Sequence, residues 1–503
     1  MLRKIPTSFM DLKFLREKFS KARYFEIERF FIFHGGHFLR TFLFAAATSS
    51  FAIGAQAAPS DMIREQGLAN AIATLEGQTE MSPSDQLALS GMTFLRAIET
   101  AYQTRWQVGY VSDDLPLPLF SNALSPNPSP NAIKADTLSL LFENVLNDMG
   151  EMDAILAAIP VGSDPVFELS LADVWFDINM NGTREKTEDF GKIALQTTMN
   201  PWEIQKLETT LANNPAAPNP MQATIRFDEA DLHWLRAYGH VISGVSELIL
   251  AFDPQPEIQK ALDLREALND QRTHMIVAAV EKLDGHPKLQ ALAQQAAEFD
   301  SLSPDEVQAL EASFAALSSQ ESDLYHTTIY GEPSSRNFLN DEEHFVDMAA
   351  VFVETLRHQP DQTRVEKARN HLLAMLGHNR NFWQLIDAET DNKNEWIAND
   401  FQQSALGVEL PEGTGDAWLA VLGDMEKVLQ GELLVPFWRY AFGHGIDLNS
   451  WVENPSPLNV VEWFQGTSTL PYARQGEVIT TKNWDEFQSL VQQQSGFLVF
   501  MLN

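Results

Sequence analysis

Asp177, Asn179 and Asn181 place oxygen-bearing side chains at alternate positions, Gly182 follows directly, and Glu188 closes the run after five further residues. Calcium is a hard cation that takes six to eight oxygens, so carboxylates and amide oxygens spaced in this way are the chemistry it needs. A glycine after the third oxygen side chain gives the chain the left-handed backbone for a sharp turn. The blander reading of the same residues is a polar Asn181-Gly182 turn between two strands.

Other constellations carry less. His233, His240 and Glu247 stand seven residues apart on one expected helix, as do His371 and His378 on another. At 1.5 Å per residue, positions i and i+7 lie about 10.5 Å apart, too far to share one ion, so these histidines are expected to be satisfied by neighbours. Asp341-Glu342-Glu343-His344 approximates the Glu-x-x-His spacing of carboxylate di-metal bundles, but acidic residues at a helix start are expected from the helix dipole alone. An acidic glycan hydrolase would need two carboxylates and aromatic platforms such as Trp438, Trp451 or Trp463, and the sequence does not single out a pair. It contains no His-Glu-x-x-His, Gly-x-Ser-x-Gly or Gly-Lys-Ser/Thr phosphate loop, so zincin, hydrolase-elbow and nucleotide chemistry are disfavoured.

The run Asp177-Ile-Asn-Met-Asn-Gly-Thr-Arg-Glu-Lys-Thr-Glu188 resembles the EF-hand family of calcium loops, including its shorter dockerin-like forms, over these 12 residues. The resemblance implies Asp177, Asn179 and Asn181 as side-chain ligands and Thr183 as a backbone carbonyl ligand. It further implies Glu185 acting directly or through water, and Glu188 bidentate. Arg184 stands where an EF-hand carries an apolar residue, and the entering segment reads as strand, so a lone structural loop is expected in place of a paired sensor hand.

The surroundings suit such an ion. Arg40 precedes an apolar run over 41–55, and Ala55-Gln-Ala57 offers a small-x-small site before Ala58-Pro59, the order of an export signal cleaved between Ala57 and Ala58. About 15 apolar residues fall short of the roughly 20 that span a bilayer, so no membrane span is expected after cleavage. About 40 residues precede that run, an extended basic region or a misplaced start. Residues 1–57 hold nine basic and four acidic residues, leaving 26 basic and 65 acidic and a formal charge near −39. Such a surface repels nucleic acid and attracts divalent cations and basic partners. The chain has no cysteine, which excludes disulfides and thiolate sites and favours a bacterial periplasmic or secreted setting.

Periodicity predicts a mainly α protein with a small antiparallel β insertion carrying the calcium loop. Five parts are expected: the signal at 1–57, a helical part at 58–160, the β insertion at 161–227, a helical core at 228–430 and an aromatic-rich irregular module at 431–503. Phe167, Leu169 and Leu171 alternate with polar or small residues, as do Ala223, Ile225 and Phe227, so the two runs are expected to pair. Asp228 caps a helix whose apolar positions Trp234, Tyr238, Val241, Val245 and Leu248 predict a central, buried element. The expected function is a calcium-stabilised binding or structural protein outside the cytoplasm, with an unidentified protein or glycan partner. The alternative is a hydrolase of glycan or envelope polymer.

Overall fold

Ser82 and Asp85 start the first long helix with a reciprocal capping box, the Ser82 hydroxyl accepting from the Asp85 N–H and the Asp85 carboxylate from the Ser82 N–H. Ser84, one residue inside the helix, accepts the Val166 N–H through its hydroxyl oxygen. The structure, a computed structural model, describes residues 58–491 apart from 111–123, 199–200, 215–218, 298–301, 303, 331–342, 391–393, 400 and 406–409. The expected signal segment therefore lies outside the described residues, as do Asp341 and Glu342.

In chain order the elements begin with α1 (Pro59–Glu76), α2 (Pro83–Gln107), α3 (Thr137–Ala158), β1 (Phe167–Ser170), α4 (Phe190–Thr198), α5 (Pro201–Asn213) and β2 (Thr224–Phe227). The helical centre follows as α6 (Glu229–Ala251), α7 (Gln255–Val280), α8 (Pro287–Ala297), α9 (Pro304–Ala315), α10 (Ser319–Tyr330), α11 (Glu343–Thr355), α12 (Gln362–Ile386) and α13 (Thr414–Gln430). The chain ends in β3 (Val435–Pro436), β4 (His444–Ile446), α14 (Leu448–Glu453), α15 (Val460–Gln465), β5 (Ala473–Gln475) and α16 (Lys482–Val491). The fold is mainly α, 65% helical and 6% strand, with antiparallel sheets of two and three strands.

The expected strand pair forms in the expected direction. β1 and β2 are antiparallel with Phe167 opposite Phe227 and Leu169 opposite Ile225, and the two phenylalanine rings stack at 6.0 Å. Between them the chain adds α4 and α5, which the sequence reading did not anticipate. α10 lies in the expected helical core although its Thr327, Thr328 and Ile329 are poor helix formers. The signal for α10 lay at its start, where Ser318 and Glu321 exchange hydrogen bonds as a capping box.

Asp228 caps α6 as expected, again with a capping box, and α6 is the central helix. It packs chiefly along α12 and, on another side, against α3. Close approach is built into the sequence: a Cβ at Gly244 would meet the Ala368 carbonyl at 3.3 Å, and one at Gly239 would meet the Met152 methyl at 2.3 Å. The main core draws on α1, α2, α3, the β1–β2 pair, α6, α12, α13 and, through Phe487 and Val491, α16. A separate core around Leu283, Leu292, Leu310 and Tyr325 holds α7 to α10 together. A third, around Phe252, Trp451 and Tyr472, seats the three-stranded sheet against the end of α6. Among the described residues no helix is long and apolar enough to cross a membrane.

Candidate metal-binding sites

Entry to the 177–188 loop is fixed by a tryptophan. α1 breaks its helical backbone at Gly67 (φ 76°, ψ 170°), Trp175 packs where a Cβ would lie 3.1 Å from its ring, and its indole N–H donates to the Ile63 carbonyl at 2.9 Å. Phe176 N–H donates to the Glu188 carbonyl and Phe190 N–H to the Val174 carbonyl, so a short antiparallel ladder closes the loop at its neck. From α2, Glu99 accepts the Asp177 N–H at 2.6 Å and Gln103 donates to the Asp177 carbonyl at 2.7 Å. The loop thus rests on the main core.

Within it, local hydrogen bonds tie the expected residues to the turn. Asp177 Oδ2 accepts from the Gly182 N–H at 2.9 Å, Asn179 Oδ1 from the Asn181 N–H at 3.0 Å and Asn181 Oδ1 from the Thr183 N–H at 2.7 Å. Both asparagine amides donate to Glu185 Oε1, at 2.9 and 3.0 Å. Glu188 is buried and accepts N–H groups from Ile178, Asn179 and Glu185. Burial, the largest influence, raises its pKa, with the nearby Glu185 charge adding to that and the N–H donors opposing it. Gly182 turns with φ 71° and Met180 with φ 58°. Asp177 Oδ1 is buried with no hydrogen-bond partner. Arg184, the departure from the EF-hand pattern, is put to local use: it binds the Asp189 carboxylate and the Ala172 carbonyl at the far side of the neck. Glu185 thus joins the two asparagine side chains, Asp177 and Glu188 hold backbone N–H groups, and one carboxylate oxygen of Asp177 is left over.

A second polar assembly lies between α6 and α12, which run antiparallel. His233 faces His378 with Nδ1 atoms 3.1 Å apart, and His240 faces His371 with Nδ1 atoms 3.0 Å apart. One further step of seven along each helix, Glu247 accepts from Arg364 at 2.8 Å, and Arg364 also pairs with Glu143 of α3. Asp153 of α3 enters beside the histidine steps. It accepts from Arg236 Nε at 2.7 Å, and the same oxygen stands 3.7 Å from His240 Nε2. One nitrogen each of His240 and His378 and one Asp153 oxygen all lie within 4.8 Å of one another. Burial lowers the pKa of all four histidines, and that of His378 falls to about 4 with Arg236, His233 and His240 adding to the effect. Burial alone would raise the Asp153 value, but the Arg236 hydrogen bond and charge outweigh it and keep it low. At neutral pH the layer therefore holds neutral imidazoles around a carboxylate.

Comparison with known protein families, curated proteins and solved structures found no match. Function therefore rests on the geometry alone.

The histidine layer was missed as an assembly. The i, i+7 distance argument holds within each helix, yet the partners come from two helices and a third supplies the carboxylate. The available signal was the shared step of seven in His233-His240-Glu247 and Arg364-His371-His378, which an antiparallel pairing brings into register. A third group, Asp228, Glu389 and Glu395, gathers around Arg226, which lies 2.9 Å from Asp228 and 3.8 Å from Glu395. Neighbouring Asp231 is buried, and burial followed by the Asp228 and Glu395 charges raises its pKa far above the carboxylate range. Of the aromatics considered as sugar platforms, Trp451 is buried in the third core, while Trp438 is exposed and lies against Phe464 at 5.7 Å. The nearby cleft of about 390 Å³ is lined by Arg357, Ser456, Asn459, Glu462 and Ser468, among others, and holds one carboxylate.

Proposed function

We propose that this chain is an exported, acidic, helical protein whose fold is stabilised by calcium at residues 177–188 and which serves as a binding or structural protein outside the cytoplasm. The observation that carries the calcium reading is Asp177: one carboxylate oxygen ties the turn to Gly182, while the other is buried without a partner. A divalent cation would satisfy that oxygen and offset the repulsion between Glu185 and Glu188. The order of basic flank, apolar run and Ala55-Gln-Ala57 supports export. Extracytoplasmic calcium also suits a lone loop of modest affinity. The rival hydrolase needs a second carboxylate about 5 to 10 Å from the first. The described cleft offers Glu462 with Arg357, Ser456 and Asn459, a set better suited to holding a polar ligand than to cleaving one.

Thermal melting tests the calcium reading. Calcium at about a hundred times its dissociation constant should stabilise the protein by about 2.7 kcal/mol, a rise of several degrees over the EDTA-treated sample. Asp177→Ala combined with Glu188→Ala should abolish the response. Melting of the wild type that is indifferent to both EDTA and calcium overturns the reading. Export is tested separately by amino-terminal sequencing of the protein recovered outside the cytoplasm, which should begin at Ala58.

A further inference from the structure

We propose that His240, His378 and Asp153 form a binding site for one divalent first-row transition-metal ion of the zinc type, with His371 and His233 as positioning residues that orient the two ligand rings. The 3.7 Å between His240 Nε2 and Asp153 Oδ1 is too long for a hydrogen bond. It suits two ligands of one ion: donors about 2.0 to 2.1 Å from a metal stand about 3.3 to 3.6 Å apart at tetrahedral to trigonal angles. The third donor, from His378, lies within the same 4.8 Å triangle.

The outer contacts match what a metal-binding histidine requires. Such a residue coordinates through one ring nitrogen and gives its other N–H to a fixed partner, which sets tautomer and ring orientation. His240 Nδ1 meets His371 and His378 Nδ1 meets His233, so each inner ring keeps Nε2 for the ion. The inner rings lie 5.5 Å apart and nearly parallel. Arg236 holds the Asp153 carboxylate as its own outer partner, leaving the remaining lone pairs for coordination. The ligands stand on three packed helices, the usual setting of metal sites in helical bundles.

Donor chemistry selects the class of ion. Two imidazoles and one carboxylate suit zinc, cobalt, nickel or iron(II), whereas the all-oxygen loop at 177–188 suits calcium. Three protein ligands leave a coordination position for water, as in zinc sites that act as Lewis acids.

Calorimetric titration of the purified full chain with zinc, in buffer holding millimolar calcium to occupy oxygen sites, tests the proposal. One equivalent should bind saturably, and cobalt(II) in its place should give the intense visible bands of a low-coordinate complex. His240→Gln with His378→Gln, and separately Asp153→Asn, should remove that equivalent. His233→Gln and His371→Gln should weaken it about 10- to 100-fold. Glu188→Gln should leave it unchanged, which separates this site from the calcium loop. The absence of a saturable equivalent in the wild type overturns the proposal without reference to any variant. So does undiminished binding in the His240/His378 double variant, or a cobalt spectrum like that of the hexaaqua ion.

Discussion

The loop at 177–188 and the histidine layer between α6 and α12 solve the same problem, gathering polar groups inside a fold, by opposite means. The loop's oxygens come from 12 consecutive residues, and its geometry is set by local turns: Asn179 and Asn181 each fold back onto the N–H two residues on. The layer's groups come from positions 153, 233–247 and 364–378, and meet only because three long helices pack in one register. A local site can be lost while the fold survives. A site made of helix register is part of the fold, so damage to it is felt by the whole body.

The sharpest way to break this contrast is at the last step of the ladder. Arg364 joins buried Glu247 of α6 to Glu143 of α3, with Lys367 a weaker companion at 3.5 Å. Arg364→Met should destabilise the protein by about 3 kcal/mol, because Glu247 stays buried without its main partner. Urea denaturation checks this with and without calcium. If the layer is integral and the loop local, the loss is the same in both conditions. A loss that calcium reverses would show the two regions to be coupled.

The same contrast explains what could be read in the chain beforehand. Fold class, the β1–β2 pairing and the Asp228 cap depend on neighbours within a few residues or on simple alternation, and all three emerged from the sequence. The six loop residues could be named from the chain because a contiguous motif carries its own geometry, and calcium titration is what tests them. The layer was not, because its chemistry is created by the antiparallel pairing of helices more than a hundred residues apart, and no single helix shows it. Helix α4 escaped because Gly191, Thr197 and Thr198 are weak helix formers, whereas α5 carries a helix signal in Pro201, Glu203, Gln205, Lys206 and Leu207 that the expectation of a β insertion masked.

Acid separates the regions by a smaller amount. The four layer histidines have folded-state pKa values below the ordinary one, with burial the leading cause, and His378 is held at about 4. A group with a depressed folded value binds protons more readily in the unfolded chain. The layer's contribution is therefore complete above about pH 6.5 and is lost as pH falls toward the folded values. From pH 7 to pH 5 the His378 share, discounted for solvent screening of the part-exposed ring, is about 1 kcal/mol in metal-free protein. Carboxylates with raised values, Asp231 foremost, act in the opposite sense, so the readout is the difference between wild type and His378→Leu. The variant should lose less stability than the wild type over that interval when both are followed by urea midpoints. Equal losses would mean that the imidazole titrates as it does in water.

The loop offers the smallest and most local test. Gly182 turns at φ 71° with open space where a Cβ would stand, so Gly182→Ala meets no clash and pays only for its left-handed backbone. That conformation costs an alanine about 1 kcal/mol. The position also donates the N–H that holds Asp177 Oδ2, so the strain falls on the residue expected to lead calcium coordination. Melting in EDTA should drop by no more than a few degrees, while the calcium response weakens by several-fold in apparent affinity. Zinc binding at the histidine layer should be indifferent to the change, because no group of the layer comes from the loop. A variant that altered both sites together would show that the turn is transmitted through Glu99 and Gln103 of α2 into the core, making the loop a structural part of the bundle.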